Sequence, residues 1–312
     1  DYLKGLAEKA KGAFRGEAPN PRMTPSLQPS PPPIAPWREG FLETPEVRLR
    51  YLEWGDPGEA PLLLLHGIGQ TAHTWAYFAT AMRHHYRVIA VDQRGHGDSG
   101  WAPDGDYSTA AHGRDLDAFI ERLKLESFAL LGFSLGGRNA MFLTGRHPAK
   151  VRRLVLVDAG PERPTAGGSQ ARQFMSGPDV LGSVEDFVER AIRFNPRRSR
   201  EALRESLLHN LRQLPDGAWT WKYDPVLRGP NRRTYPWGDL WPVLVNIACP
   251  TLIVRGAQSP VLPPEQAARM VEVMPVARMV TISAAGHTVM GDNPLEFEAK
   301  VKPFLVDEDA AG

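Results

Sequence analysis

The sequence predicts an α/β fold in which helices flank a mostly parallel sheet of eight strands. Six short segments are apolar at nearly every position, which is typical of strands buried on both faces of a parallel sheet. These segments are residues 62–65, 88–91, 128–131, 154–157, 251–254 and 279–282. Patterns with helical spacing lie between them, and such alternation predicts right-handed β-α-β crossovers with helices on both sides of the sheet.

Two further strands are predicted at residues 40–44 and 47–54, joined by a tight turn. Val47, Leu49 and Tyr51 alternate with polar or charged neighbours, as expected of a half-exposed antiparallel pair. These two strands bring the predicted sheet to eight. Helices are predicted at residues 71–85, 107–124, 135–147, 262–274 and 292–305.

Residues 1–38 precede the predicted folded body and divide into two parts. Residues 1–17 have a weak amphipathic helix pattern interrupted by Gly5 and Gly12. Residues 18–36 are rich in proline, which favours an extended polyproline II spacer. The helix-like part could pack on the body, form a homo-oligomer, touch a membrane surface or remain a frayed tail.

The charge of the chain is nearly balanced overall but uneven along its length. The net charge is +1, whereas residues 190–233 carry ten Arg and one Lys against four carboxylates, a local charge of +7. A solvated helix face is the ordinary explanation, and attraction of an anionic substrate or surface is the alternative. No zinc-finger or recognition-helix signature accompanies the arginines, so we expect no nucleic-acid partner.

Residue usage gives further expectations about environment and cofactors. Cys249 is the single cysteine, so no intramolecular disulfide can form. No apolar run approaches the roughly 18–20 residues that span a bilayer, and the N-terminus lacks the apolar core of a signal peptide. We therefore expect a cytoplasmic protein without a transmembrane segment. No dinucleotide-binding, Walker or metal-ligand motif occurs, so neither a cofactor nor a metal site is expected.

The clearest chemical signal is Ser134, which has glycine two residues before it and two residues after it. An apolar strand pattern ends at Gly132, and a helix pattern begins just after the serine. A strand that turns into a helix within about one residue leaves no room for side chains at the flanking positions. The turn exposes the hydroxyl beside the N-terminus of the helix, which predicts a nucleophilic serine. A glycine-flanked serine in an ordinary loop is the alternative.

Four further segments accompany this turn in a fixed order. With them, the chain resembles the α/β-hydrolase superfamily over roughly residues 39–306. The resemblance implies a core formed by residues 39–160 and 248–312. It also implies that residues 161–247 are a helical cap over the carboxyl ends of the strands. The four segments are residues 65–69, 92–99, 156–162 and 286–287.

The proposed cap has helical patterns near residues 184–194 and 199–213 and no convincing buried strand. A stretch rich in large rings follows them. The rings either line a substrate pocket or join the cap to the core, and the large area that such rings bury favours the second role for most of them. The aromatic residues concerned are Trp219, Trp221, Tyr223, Tyr235, Trp237 and Trp241.

A serine hydroxyl needs a base, and His287 is the leading candidate. It follows the last predicted strand and matches the histidine loop of the superfamily. In this fold the oxyanion is held by two backbone amides, one after the nucleophile and one after the third strand. These positions are Leu135 and Ile68 in this chain.

The third member of the expected triad is where the chain departs from the superfamily pattern. The orienting carboxylate usually follows the seventh strand, but Pro260 occupies the matching position and offers no acceptor. Glu265 is the nearest carboxylate downstream and is expected to point away on the next helix. Asp158, at the end of the sixth strand, is the better candidate, although its equivalent in some relatives has a structural role.

The predicted function is hydrolysis of small carboxylic esters or lactones by a serine nucleophile through an acyl-enzyme. Serine at the sharp turn excludes the haloalkane dehalogenases and epoxide hydrolases, which need a carboxylate there. A carbon–carbon bond hydrolase or a perhydrolase on the same skeleton is one alternative. The other, motivated by Pro260, is a fold with weak or no catalysis that is used for ligand binding.

Overall fold

The computed structural model describes residues 33–162, 177–228 and 238–307. By its contacts the chain divides into two units, residues 1–31 and residues 32–312. The first unit holds the predicted amphipathic helix and most of the proline-rich spacer, and it lies outside the described residues. The proposed role of that segment in oligomer formation therefore stays a prediction.

The part of the chain that packs on the sheet includes residues before the predicted start at Glu39. The Ala35 amide donates a hydrogen bond to Thr80 Oγ1 at 2.9 Å, and Trp54 Nε1 donates to the Ala35 carbonyl at 3.1 Å. Trp37 lies edge-on to the His73 ring, with 5.1 Å between ring centroids. The end of the proline-rich stretch is thus held on the body by two hydrogen bonds between the Ala35 backbone and side chains. The ring contact of Trp37 follows directly after it.

One large sheet forms the centre of the fold, with the strand order β1-β2-β4-β3-β5-β6-β10-β11. The pairs β1–β2 and β2–β4 are antiparallel, and all other neighbours in this sheet are parallel. The predicted fold class, a mostly parallel eight-stranded sheet, is confirmed. In chain order the strands are β1 (Arg38–Glu43), β2 (Arg48–Trp54), β3 (Pro61–Leu65), β4 (Arg87–Val91), β5 (Phe128–Phe133), β6 (Val151–Val157), β7 (Val180–Leu181), β8 (Leu211–Gln213), β9 (Trp219–Trp221), β10 (Thr251–Gly256) and β11 (Ala277–Ile282).

Helices cover both faces of this sheet. Leu62 and Leu64 of β3 belong to the apolar core on one face, and Leu63 and Leu65 to the core on the other. Continuous apolar sequence is therefore required because both faces are buried. No helix of the described residues is long and apolar enough to cross a membrane. The helices are α1 (Ala76–Met82), α2 (Thr109–Arg122), α3 (Leu135–Arg146), α4 (Val184–Phe194), α5 (Arg200–Asn210), α6 (Trp241–Leu244), α7 (Pro264–Val273), α8 (Val289–Asp292) and α9 (Pro294–Val306), with 3₁₀ turns at Ala72–Trp75 and Pro225–Leu227.

Residues 161–247, called the insertion below, separate β6 from β10. Its described part contains α4 and α5, as predicted, and also a small antiparallel sheet in the order β7-β9-β8. The sequence predicted no buried strand there, and these three strands are short and partly exposed. The helix predicted near residues 199–213 ends three residues earlier than predicted, at Asn210. Leu211–Gln213 pairs with Trp219–Trp221 across a turn in which Gly217 has φ 87°. The Pro-Asp-Gly at 215–217 is a hairpin signal that favours this turn.

Candidate active site

The carboxyl ends of the parallel strands bring the predicted residues to one edge of the sheet. Ser134 follows β5 directly and has φ 53° and ψ −113°, a strained conformation for a residue other than glycine. A Cβ on Gly132 would lie 2.3 Å from the Gly136 carbonyl oxygen, and one on Gly136 would lie 2.3 Å from the Leu65 carbonyl oxygen. Both flanking positions therefore require glycine, since backbone atoms fill the space.

Asp158 follows β6, the strand next to β5. Its side chain is fully buried, and its backbone has φ 46°. The Asp158 amide donates to the Val254 carbonyl at 2.7 Å, which ties this turn to β10. Oδ2 of the carboxylate accepts hydrogen bonds from His287 and from the Ser259 hydroxyl.

His287 lies in the loop after β11 and joins the other two residues. Its Nδ1 is 2.6 Å from Asp158 Oδ2, and its Nε2 is 3.1 Å from Ser134 Oγ. Because a carboxylate only accepts hydrogen bonds, Nδ1 carries the proton, and Nε2 is free to accept the proton of the serine hydroxyl. The structure therefore brings together the predicted nucleophile, base and acid in a hydrogen-bonded chain.

The loop that carries His287 is held from both sides. The Gly286 amide donates to Asp292 Oδ2 at 2.8 Å, and the His287 ring packs on Phe133 with 4.8 Å between centroids. A Cβ on Gly256, at the end of β10, would lie 2.1 Å from the Gly286 carbonyl oxygen. Close backbone packing thus sets the position from which the imidazole reaches Ser134.

The loop after β10 shows what occupies the usual position of the acid. Pro260 lines the cavity in front of Ser134, whereas Glu265 is exposed in the first turn of α7. Ser259, which sequence reasoning missed, donates its hydroxyl proton to Asp158 Oδ2 and accepts from the Val261 amide at 3.1 Å. The sequence did contain a signal for this role, because Ser259 places a hydroxyl group one residue before the position expected for the acid.

Replacement of Ser259 by alanine is expected to lower kcat about tenfold with little change in KM. The reason is that Asp158 loses one charge-assisted hydrogen bond, worth roughly 1.5 kcal/mol, that fixes its orientation toward His287. Steady-state kinetics on a neutral ester measures the effect. Ser259→Thr keeps the hydroxyl and should restore most of the rate. An unchanged kcat in the alanine variant would show that Ser259 does not position the carboxylate.

Two backbone amides near Ser134 belong to the residues expected to hold an oxyanion, Leu135 and Ile68. Leu135 is the first residue of α3, and Ile68 lines the same cavity as the serine. Within the described residues, neither amide donates a hydrogen bond to an acceptor of the protein. Two such donors beside a serine hydroxyl can stabilise an oxyanion that forms on a bound carbonyl group.

His66 braces the loop that contains Ile68. Its Nδ1 donates to the Gly67 carbonyl at 2.7 Å, and its Nε2 accepts from the Gln93 amide at 3.0 Å. Complete burial lowers the pKa of His66 to about 4, so the ring is neutral at physiological pH. The His66 carbonyl accepts from the Gly136 amide at 3.1 Å, which connects this loop to the turn around Ser134.

Residues 92–99 form a structural turn. The Asp92 carboxylate accepts from the amides of Ala72 and Asp98 and from Arg50. The buried Arg94 guanidinium pairs with Asp115, and its Nη1 donates to a backbone carbonyl at 2.7 Å. Arg94, the one arginine of this turn, is thus engaged with the protein and does not line the cavity.

The cavity in front of Ser134 and His287 has a volume of about 410 Å³ and is enclosed by both the core and the insertion. Trp221 and Tyr223 of the insertion line it, so these two rings belong to the pocket. Trp241 instead packs against the Arg269 guanidinium, 4.1 Å from its ring centroid, as expected of a ring that joins two parts of the chain. Tyr235 and Trp237 lie outside the described residues.

The chain belongs to the α/β-hydrolase fold family, whose family model matches residues 60–294. The resemblance found in the sequence is thereby confirmed, and the similar proteins include hydrolases of several kinds. An esterase of Mycobacterium tuberculosis is 32% identical over 252 residues, which are 78% of this chain and 81% of that protein. A 3-hydroxybutyrate-oligomer hydrolase of Cupriavidus necator is 30% identical over 77% of this chain and 87% of its own length. A crystal structure of an M. tuberculosis esterase matches with a TM-score of 0.71 and 26% identity over 98% of each chain.

Proposed function

We propose that this protein is a serine hydrolase that cleaves carboxylic esters or lactones through an acyl-enzyme. The observation that carries the proposal is the hydrogen-bonded chain from Ser134 through His287 to Asp158, which opens on a cavity partly covered by the insertion. We also propose that the insertion acts as the cap that shapes this cavity. The esterase and the oligomer hydrolase among the relatives support ester hydrolysis.

Acylation begins when Ser134 Oγ attacks the carbonyl carbon of the ester. His287 Nε2 takes the hydroxyl proton as the new bond forms, and Asp158 stabilises the resulting imidazolium and keeps the ring oriented. The carbonyl oxygen becomes an oxyanion, which the amides of Leu135 and Ile68 hold. Donors already in place cost no reorganisation at this step.

The tetrahedral intermediate then collapses. The bond to the alcohol oxygen breaks, and His287 gives its proton to the leaving alcohol, which leaves an acyl group on Ser134. A water molecule deprotonated by His287 attacks this acyl group, and the second tetrahedral intermediate releases the acid and restores the serine. One imidazole thus serves as base and acid in both halves of the reaction.

Pro260 at the usual position of the acid suggests the alternative of a fold with weak or no catalysis that is used for ligand binding. That alternative depends on the absence of an acid for the histidine, and Asp158 lies within hydrogen-bonding distance of His287 from the neighbouring strand. We therefore favour a working enzyme. Thioester or amide bonds would pass through the same two steps, and we propose esters because the esterase and the oligomer hydrolase among the relatives favour them.

A fluorophosphonate probe tests the proposal directly. The native protein is expected to hydrolyse p-nitrophenyl butyrate and to gain one phosphonyl adduct, which mass spectrometry of the peptides should place on Ser134. Ser206 also lines the cavity and serves as an internal control, because it has no imidazole at its hydroxyl. The heat-denatured protein should not react. Absence of both turnover and adduct would rule out a serine hydrolase.

A further inference from the structure

The turn between α4 and α5 places two guanidinium groups in the cavity wall, those of Arg197 and Arg198. Arg197 lies against the loop that carries His287, and Arg198 lies against α8, which directly follows that loop. Arg197 Nη1 is 3.0 Å from the position that a Cβ on Gly286 would take, and Arg198 Nη1 is 3.3 Å from the corresponding position on Gly291. The two cations therefore lie on the histidine side of the cavity.

The charge of Arg198 is not matched by a carboxylate of the described chain. Its Nη2 donates to the Ala202 carbonyl at 3.0 Å, but its Nε is buried without a hydrogen-bond partner, and it forms no salt bridge there. By contrast, Arg200 and Arg204 of α5 both pair with Glu185. The parts of the insertion outside the described residues cannot supply the missing group, because their sequences contain neither Asp nor Glu.

Two carboxylates lie near Arg198 without pairing with it. Asp292 lines the cavity, but its Oδ1 accepts from Asn195 Nδ2 at 2.7 Å, and its Oδ2 accepts from the Gly286 amide at 2.8 Å. Glu205 lies on the exposed side of α5. Neither forms a salt bridge with Arg198. A partly buried guanidinium without a carboxylate partner is unfavourable, and an anionic ligand would relieve this cost.

We propose that Arg198, assisted by the more exposed Arg197, binds a free carboxylate on the alcohol part of the substrate. The placement rests on the proposed reaction, in which His287 gives its proton to the leaving alcohol and the alcohol therefore departs beside the His287 loop. The guanidinium of Arg197 lies against that loop, and that of Arg198 lies against α8 directly after it. The favoured substrate class is then an ester whose alcohol component is a hydroxy acid.

A pair of esters that differ only in the charge of the alcohol part tests whether the protein binds a carboxylate there. In 3-(butanoyloxy)butanoate the alcohol part ends in a carboxylate, and in 3-(butanoyloxy)butanamide it ends in a neutral amide of the same shape. The native protein is expected to favour the carboxylate by about 10- to 100-fold in kcat/KM, since hydrogen bonds to charged groups are of this strength. Release of butanoate measures both rates.

Three variants test whether Arg198 is responsible for the preference for the charged ester. Arg198→Met should reduce it at least tenfold, chiefly through the KM of the charged ester, because the charge and the hydrogen-bond donors are lost. Arg198→Lys should retain part of it, since an ammonium keeps the charge but not the planar pair of donors. Arg193→Met is the matched control, since Arg193 is an exposed residue of α4 that does not line the cavity, and it should keep the native preference.

A native protein without the preference, or an Arg198→Met variant that keeps it, would overturn the assignment. A measurement on the native protein makes the test independent of how the variants fold. Free 3-hydroxybutyrate should inhibit hydrolysis of p-nitrophenyl butyrate competitively, and 3-hydroxybutanamide should inhibit far less. Equal inhibition by the two compounds would contradict the proposal.

If the neutral ester is cleaved and Ser134 is labelled, but the protein shows no preference for the charged ester, only the proposal of carboxylate binding fails. If neither ester is cleaved and no label is gained, serine hydrolysis itself fails.

Discussion

Alanine in place of Ser134 is expected to lower kcat for ester hydrolysis by roughly 10⁵- to 10⁶-fold, the cost of removing the nucleophile from a serine triad. His287 then has no hydroxyl within reach, and no acyl-enzyme can form. A small residual rate is expected, because the variant keeps the amides of Leu135 and Ile68 that we propose as oxyanion donors. Stopped-flow kinetics on p-nitrophenyl butyrate should show no burst, and the fluorophosphonate adduct should be absent.

The fold should tolerate this change. Alanine has the same Cβ as serine, so the strain of the positive φ at position 134 is present in both proteins. A melting temperature close to the native value would confirm that the loss is chemical. Ser127→Ala, at the amino end of β5 and exposed, is the matched control and should have native kinetics. An active Ser134→Ala protein that is free of native contamination would exclude Ser134 as the nucleophile.

The second large effect is expected for Asp158→Asn, with a loss of about 10⁴-fold in kcat. An asparagine amide can donate a hydrogen bond to Nδ1, which holds the imidazole in the tautomer that has its proton on Nε2. His287 can then no longer accept the proton of Ser134, and no carboxylate stabilises the imidazolium. Asparagine tolerates a positive φ, so the backbone at position 158 should not change.

Glu265→Gln supplies the contrast, since Glu265 is the carboxylate nearest to the usual acid position along the chain. It is exposed on α7, and the variant should keep native kinetics. The opposite pattern, a loss of rate in Glu265→Gln and none in Asp158→Asn, would show that the acid was assigned to the wrong residue. Equal and small effects in both would favour a histidine that works without a carboxylate.

The order of the strands explains how the acid can change position. β6 lies between β5, which carries Ser134, and β10, whose following loop holds the usual acid position. His287 reaches over from the loop after β11, so a carboxylate directly after either β6 or β10 can approach Nδ1 of the imidazole. Pro260 removes the acceptor after β10, and Ser259 beside it instead donates to Asp158. The loop after β10 thus supports the carboxylate and does not supply one.

The sheet could be predicted because its apolar segments obey a local rule. A strand that is buried on both faces must be apolar at successive positions, whatever its partners are. The small sheet of the insertion could not be predicted in this way. Leu211–Gln213 continues the helical pattern of α5, and its pairing with Trp219–Trp221 depends on a contact between segments that are separate in sequence. The hydrogen bonds and side-chain contacts between paired strands determined the conformation of residues 211–213, and their local helical pattern did not.

By itself, the sequence determined the sharp turn at Ser134, because only glycine fits where backbone atoms come this close, and it indicated His287 as the base. It left open whether Asp158 is the acid, since Pro260 occupies the usual position and the answer depends on which side chain reaches the ring. The surplus of arginine was visible in the sequence as well. Only the tertiary structure decided that Arg198 faces the cavity without a carboxylate while neighbouring arginines pair with Glu185, because pairing depends on distance and burial.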